Sequence, residues 1–279
     1  MRFVFLHGPG FNTFAERALL SEPLASAGAN AIFWNEPSAL RPDGDPFVPD
    51  DAFNGWLSSA EQTVLTAAAD SRVVVIGHCV GALAAINIAA RHPQQIDGVV
   101  LAAPSVRPWA SLRNVMRTAA EDLEEDGHAA AAPLAQCAAQ TTTLMDDAMR
   151  EGLPLVLEDP RIFTHYWFDP ARMAASLEAQ AFPGARFDVD SFFAVMGGLA
   201  GAATALPTLP RSVPALAVFG AQDPIARQSD QHEALLRIAP EAEIASLRNA
   251  SHFLYLDQPD AFVQTVISWA MRQRKGATA

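Results

Sequence analysis

The chain has 279 residues, half of them hydrophobic and 18% charged, with a formal net charge of −12; this suits one large α/β domain, or a core domain plus an insertion, and argues against disorder over most of the length. So acidic a balance argues against nucleic acid or an anionic membrane surface as a partner. Two cysteines in this length make no disulfide framework, no apolar stretch reaches the ~18 residues of a membrane span, and the N-terminal apolar run is too short for a signal peptide, so reduced thiols and a cytoplasmic location are expected.

Along the chain, Phe3-Val4-Phe5-Leu6 is a short, continuously apolar run stopped by His7-Gly8-Pro9-Gly10, which fits a buried parallel strand entering a loop. Thr13 to Ala27 reads as a helix stopped by Gly28, Ala31 to Trp34 as a second strand, and Glu36 to Asp51 as a loop rich in Pro and Asp. Phe53 to Ala69 is helical. Arg72-Val73-Val74-Val75-Ile76 is the clearest strand, and it runs through Gly77-His78-Cys79-Val80-Gly81 straight into a helix over Ala82 to Arg91. Ile96 to Ala103 is the next strand. The alternation of strand and helix predicts a mostly parallel sheet of about six strands with helices on both faces.

After Pro104 the alternation breaks. From Ser105 to Arg211 the pattern is Ala-rich and helical, with acidic runs at Glu121–Asp126 and Asp146-Asp147. The stretch is too long to be a loop of a compact domain. It reads as a helical insertion, 105–211, between core segments 1–104 and 212–279. The β/α pattern then resumes with a strand at Ala215–Phe219, a helix at Gln228–Ile238, a strand at Glu243–Leu247 and a last helix from Pro259 to Met271. The basic cluster Arg272-Gln273-Arg274-Lys275 is placed at the end of that helix, where cations suit the dipole.

A strand, then Gly-x-nucleophile-x-Gly, then a helix is a nucleophile elbow. A strained turn lifts the Cys79 side chain above the sheet, and Gly77 and Gly81 let strand and helix backbones approach. The helix N-terminus favours the thiolate and aims the Val80 N–H at a developing oxyanion.

At these residues the sequence resembles the α/β-hydrolase superfamily, over nearly all of the chain outside the insertion, with a cysteine where serine is usual. The resemblance extends to three further segments. Phe219-Gly220-Ala221-Gln222-Asp223-Pro224 is similar to the family's acid loop and implies Asp223 as the acid. Asn249-Ala250-Ser251-His252-Phe253-Leu254 is similar to its histidine loop and implies His252 as the base. His7-Gly8-Pro9-Gly10 is similar to the segment that supplies the second oxyanion donor. Asp230 falls inside a helix and is the lesser acid candidate, and Ala103-Pro104-Ser105, where some members carry the acid, has no carboxylate. The implied fold lacks the family's preceding hairpin, since the chain begins at the strand leading to His7.

The implied chemistry is attack of the Cys79 thiolate on a carbonyl, giving a thioester acyl-enzyme, with His252 as base and Asp223 as its orienting group. Pro9 has no N–H. Gly10, the Asn12 side chain, or the Val80 N–H alone must therefore serve the oxyanion. His7, Asn12, His78, Trp167 and Phe253 are the expected substrate contacts; for His78 a packing role is preferred over a catalytic one. The aromatic clusters His165–Phe168 and Phe192–Met196 read mainly as packing within the insertion, some lining an apolar acyl pocket. Cys137 is expected in a core. No cofactor or metal is expected.

Two activities stay open: hydrolysis of a carboxylic ester or thioester, and acyl transfer or cyclisation to a second substrate. A non-catalytic binding protein is disfavoured by the complete Cys-Asp-His set. The expected partner is a small acyl substrate, either free or carried as a CoA or acyl carrier protein thioester.

Overall fold

The computed structural model describes residues 1–37, 51–157, 160–180, 187–201 and 206–276. Its six strands are β1 (Arg2–Leu6), β2 (Asn30–Phe33), β3 (Val73–His78), β4 (Ile96–Ala102), β5 (Ala215–Gly220) and β6 (Glu243–Leu247). They form one sheet in the order β2-β1-β3-β4-β5-β6, and every pairing is parallel. The expected parallel architecture is therefore what the chain adopts. Most of the loop expected at Glu36 to Asp51 lies outside the described residues.

Strand periodicity explains the two cores. Phe3 and Phe5 face one side of the sheet, with α1 (Phe14–Ser26), α10 (Leu254–Asp257) and α11 (Pro259–Gly276). Val4 and Leu6 face the other, with α2 (Ala52–Ala67), α3 (Gly81–Arg91) and α9 (Gln228–Ile238). All six residues of β3 are buried, as a central parallel strand requires. Between β4 and β5 lie α4 (Pro108–Glu125), α5 (Ala131–Gln140), α6 (Asp147–Leu157), a 3₁₀ helix (Pro160–Tyr166), α7 (Pro170–Gln180) and α8 (Val189–Gly201), with no strand among the described residues there. Cys137 packs in this part, buried and unpaired.

Element ends shift by a residue or two from the sequence pattern, and the last helix runs five residues beyond Met271 to Gly276. Arg272 and Gln273 sit inside it and bind the Glu243 carboxylate of β6 at 2.7 and 2.8 Å. The basic cluster thus ties α11 to the sheet edge. The register brings the C-terminal ends of β1, β3, β5 and β6 to the same side, so the loops at 7–13, 79–80, 221–227 and 248–253 meet above the sheet. In an open parallel sheet this is where ligands are bound.

Candidate active site

Cys79 follows β3 directly, with φ of 53°. A non-glycine residue held there costs about 1–3 kcal/mol and persists only when its surroundings over-determine it. They do so here. The Cys79 N–H donates to the Ala102 carbonyl at 3.0 Å, while its own carbonyl accepts the N–H groups of Ser105 and Ala82 at 3.1 and 3.2 Å. A Cβ on Gly77 would lie 2.5 Å from the Gly81 oxygen, and one on Gly81 would lie 2.6 Å from the Leu6 oxygen. Both glycines are therefore needed for strand, turn and helix to pack. Among the described residues no acceptor takes the Val80 N–H at the head of α3.

The loops after β5 and β6 bring acid and histidine together. Asp223 and His252 are both buried, and His252 Nδ1–H donates to Asp223 Oδ2 at 2.9 Å. The other Asp223 oxygen accepts the N–H groups of Ile225 and Ala226 at 2.7 and 3.0 Å, so the carboxylate is fixed from both sides. Burial alone would lower the basicity of His252. The charges of Asp223 and Cys79, and hydrogen bonds to both, outweigh it and raise the pKa to about 10. The arrangement thus favours an imidazolium between two acidic groups. Asp230 lies apart, its carboxylate accepting from Asn114 Nδ2 at 2.8 Å. His78 donates from Nε2 to the His252 carbonyl at 3.1 Å. Burial first, then the neighbouring histidines, holds His78 well below its ordinary pKa; it is a neutral brace for the histidine loop.

The loop after β1 behaves differently. His7 stacks on Trp34, with centroids 4.7 Å apart. It donates from Nδ1 to the Gly8 carbonyl and accepts the Glu36 N–H at Nε2. Burial pushes its pKa down to about 4 against the opposing pull of the Gly8 carbonyl. The Gly10 N–H donates to the buried Glu36 carboxylate at 3.1 Å, and the same oxygen accepts the Ser191 hydroxyl of α8 at 2.8 Å. The Gly10 carbonyl accepts the Asp188 N–H at 2.8 Å. Asn12 Oδ1 accepts the Phe14 N–H at 3.2 Å. Of this loop, Gly8, Pro9 and Phe11 line the cavity over Cys79; His7, Gly10 and Asn12 do not. The Gly10 N–H is therefore committed elsewhere, and Val80 is left as the backbone donor beside Cys79.

That cavity is an apolar chamber with about 80 Å³ of free space. Cys79, Val80, His78, His252 and Phe253 form one side, and Leu112, Val115, Leu153, Val156, Phe163 and Phe192 of the inter-strand helices form much of the other. Among the described residues no Lys, Arg, Asp or Glu lines it. Ser105 donates to Ser111 at 2.8 Å, and Gln231 also donates to Ser111, so both serine hydroxyls are engaged. Trp167 is not in the wall: it packs on Phe253 with centroids 4.6 Å apart and donates to Ser176. Its neighbour Tyr166 lines the chamber instead. The sequence pattern marks the aromatic cluster, but the side each ring takes depends on the 3₁₀ helix that ends at Tyr166. Glu36 and Asp257, which also shape the site, carry no local sequence signal. Among the described residues, no group of three His, Cys, Asp or Glu side chains could hold a metal ion, and no helix is long and apolar enough to cross a membrane.

The alpha/beta hydrolase family profile matches residues 3–265. No curated protein matches the sequence significantly. Among solved structures, an alpha/beta superfamily hydrolase from Oenococcus oeni PSU-1 superposes with a TM-score of 0.64 at 17% identity, over 98% of this chain and 93% of the other. A monoacylglycerol lipase from Paleococcus ferrophilus gives 0.59 at 17% identity, over 98% and 94%. An esterase from Exiguobacterium antarcticum gives 0.60 at 15% identity, over 97% and 92%. At such identities these likenesses speak to the fold alone.

Proposed function

Because the chain belongs to the alpha/beta hydrolase family, we propose that it cleaves a carboxylic ester or thioester of a short, uncharged acyl group by way of a thioester on Cys79. The observation that carries this is the buried Asp223–His252 hydrogen bond at 2.9 Å, opening with Cys79 onto one apolar chamber. An esterase and a lipase among the structural likenesses agree with the substrate class.

His252 takes the Cys79 thiol proton, and Asp223 stabilises the resulting imidazolium and holds its tautomer. The sulfur attacks the acyl carbon, and the carbonyl oxygen becomes an oxyanion that the Val80 N–H receives. As the tetrahedral adduct collapses, the bond to the leaving group breaks and His252 gives that group the proton. Water, deprotonated by His252, then releases the acid and regenerates the thiol. An apolar cavity of about 150 Å³ admits benzene, so a chamber of about 80 Å³ calls for a short acyl chain. The helices of 105–211 act as a cap that selects this chain. The lining formed by the described residues is uncharged and gives no support for a charged acyl group, and two unpaired cysteines fit a reducing, cytoplasmic setting.

One observation favours a second reading, acyl transfer. With Pro9 lacking an N–H and the Gly10 N–H held by Glu36, the oxyanion has one evident backbone donor, and a thioester intermediate suits transfer to an amine, alcohol or thiol. Short-chain esters of graded acyl length, with and without added acceptors, separate the readings. Hydrolysis that is fastest for short chains and abolished by Cys79→Ala is the expected result. Transfer to an added acceptor that outruns hydrolysis selects the second reading, and full activity in Cys79→Ala rejects both.

A further inference from the structure

The segment at 165–169 belongs to the inter-strand helices, yet it is fastened to the loop that carries His252. Asp257, buried, accepts the Phe168 N–H at 2.9 Å, the Asp169 N–H at 3.2 Å and the Ser251 N–H at 2.8 Å. The Ser251 hydroxyl donates to the His165 carbonyl, and the Phe253 N–H donates to the Tyr166 carbonyl at 2.8 Å. Residues on both sides of His252 are thus bonded to residues on both sides of Tyr166. Between these anchors, the Tyr166 ring stands perpendicular to the His252 imidazole, with centroids 5.1 Å apart, and lies 5.5 Å from Phe253. This geometry holds Tyr166 as a fixed wall of the catalytic site.

Among the described residues, Ser105, Ser111, His78 and His252 of the chamber are committed. Ser105 donates to Ser111, Ser111 accepts from Gln231, His78 donates to the His252 carbonyl, and His252 donates to Asp223. Among the described residues no hydrogen bond acts on the Tyr166 hydroxyl. Burial, then the charges of Cys79 and Asp223, keeps the phenol well above the usual tyrosine range, so it is an O–H donor at every working pH. Tyr166, Cys79 and His252 line the same chamber, with the Tyr166 ring set against the imidazole.

We propose that Tyr166 is a catalytic residue whose hydroxyl donates a hydrogen bond to the leaving-group heteroatom on the His252 side of Cys79. The proposal rests on the Cys79 acyl-enzyme reading above. In acylation the sulfur–carbon bond forms and the carbon–heteroatom bond breaks. The His252 imidazolium gives its proton to the departing atom, while Tyr166 keeps its own and stabilises the charge that builds there. In hydrolysis the attacking water occupies the same place, and His252 takes its proton.

Tyr166→Phe removes only the hydroxyl, which has no hydrogen-bond partner among the described residues, so the fold should be kept; an unchanged melting temperature checks this. Single-turnover acylation of Cys79 is measured by mass with three donors that share one acyl group: an alkyl ester, a nitrophenyl ester and an alkyl thioester. A hydrogen bond to developing charge predicts a loss of about tenfold or more for the alkyl ester. The nitrophenyl ester, whose leaving group needs little help, should lose less than about threefold. The thioester should also lose little, because sulfur accepts hydrogen bonds weakly. A uniform loss across the three would move the hydroxyl to the oxyanion and overturn the proposal, as would no loss at all. A wild-type protein that forms no Cys79 adduct with any donor overturns the acyl-enzyme reading itself, and Tyr166's role with it.

Discussion

Two loops flank Cys79, and they use their polar atoms in opposite ways. The loop at 7–13 turns them inward. His7 binds Gly8 and Glu36, the Gly10 N–H goes to Glu36, and Asn12 closes on Phe14. The loop at 248–253 uses its backbone, with Asp257 just beyond it, for anchorage but leaves the His252 ring directed at Asp223 and the chamber. The difference teaches that a buried polar residue near a nucleophile is a candidate catalyst only if some atom remains uncommitted. His7 and His252 are both buried histidines. One has no carboxylate partner among the described residues and burial pushes it down to about 4; the other has Asp223 and is raised to about 10.

The largest expected effect breaks the second loop. His252→Ala should lower kcat/KM on the order of 10³-fold or more with little change in folding. Asp223→Asn should approach it, because the amide can present the wrong donor to Nδ1. An Asp223→Asn enzyme with the wild-type rate would remove Asp223 from the triad.

The next effect lies where helices after the two loops meet. Tyr255 follows the histidine loop and donates to Glu16 of α1 at 3.0 Å, leaving the other Glu16 oxygen buried with no partner among the described residues. Burial raises the Glu16 pKa to about 7, against the lowering effects of its backbone and Tyr255 hydrogen bonds. A carboxyl that holds its proton more tightly when folded stabilises the fold at low pH. That stability is lost as pH rises from the unfolded value, near 4.5, through about 7. The loss should reach roughly 3 kcal/mol. Glu16→Gln should abolish this slope and melt higher than wild type at pH 8; equal melting at pH 5 and pH 8 in the wild-type protein would contradict the account.

Smaller effects test whether the first loop is structural. Gly10 has φ of 78°, and a Cβ there would lie 2.6 Å from the Asp188 oxygen and 2.8 Å from the Phe187 ring. Gly10→Ala should therefore cost about 2–3 kcal/mol and lower turnover by moving Gly8 and Pro9 in the chamber wall. Asn12→Ala should cost about 1 kcal/mol, as the loss of a cap-like bond does, and leave kcat within about twofold. A large drop in kcat without loss of stability would return Asn12 to the oxyanion.

The same contrast explains what the sequence made legible. The sheet could be read because buried parallel strands are continuous apolar runs, and the elbow because Gly77 and Gly81 must sit two residues either side of Cys79. Asp223 and His252 were marked by their places after late strands. Glu36, Asp257 and Tyr166 were not legible. Their partners are distant in sequence: Glu36 meets Gly10 and Ser191, Asp257 meets Phe168 and Asp169, and Tyr166 meets His252. Trp167 could be read in place of Tyr166 because only the backbone path through the 3₁₀ helix decides which ring faces the chamber.

The central claim is that Cys79 carries the acyl group. Intact-mass measurement after rapid mixing with a short-chain nitrophenyl ester, followed by peptide mapping, tests it most directly. The account predicts one acyl increment per chain, located on Cys79, that persists in His252→Ala only as far as acylation still proceeds and is absent in Cys79→Ala. Turnover with no adduct on Cys79, or an adduct that survives in Cys79→Ala, would contradict it.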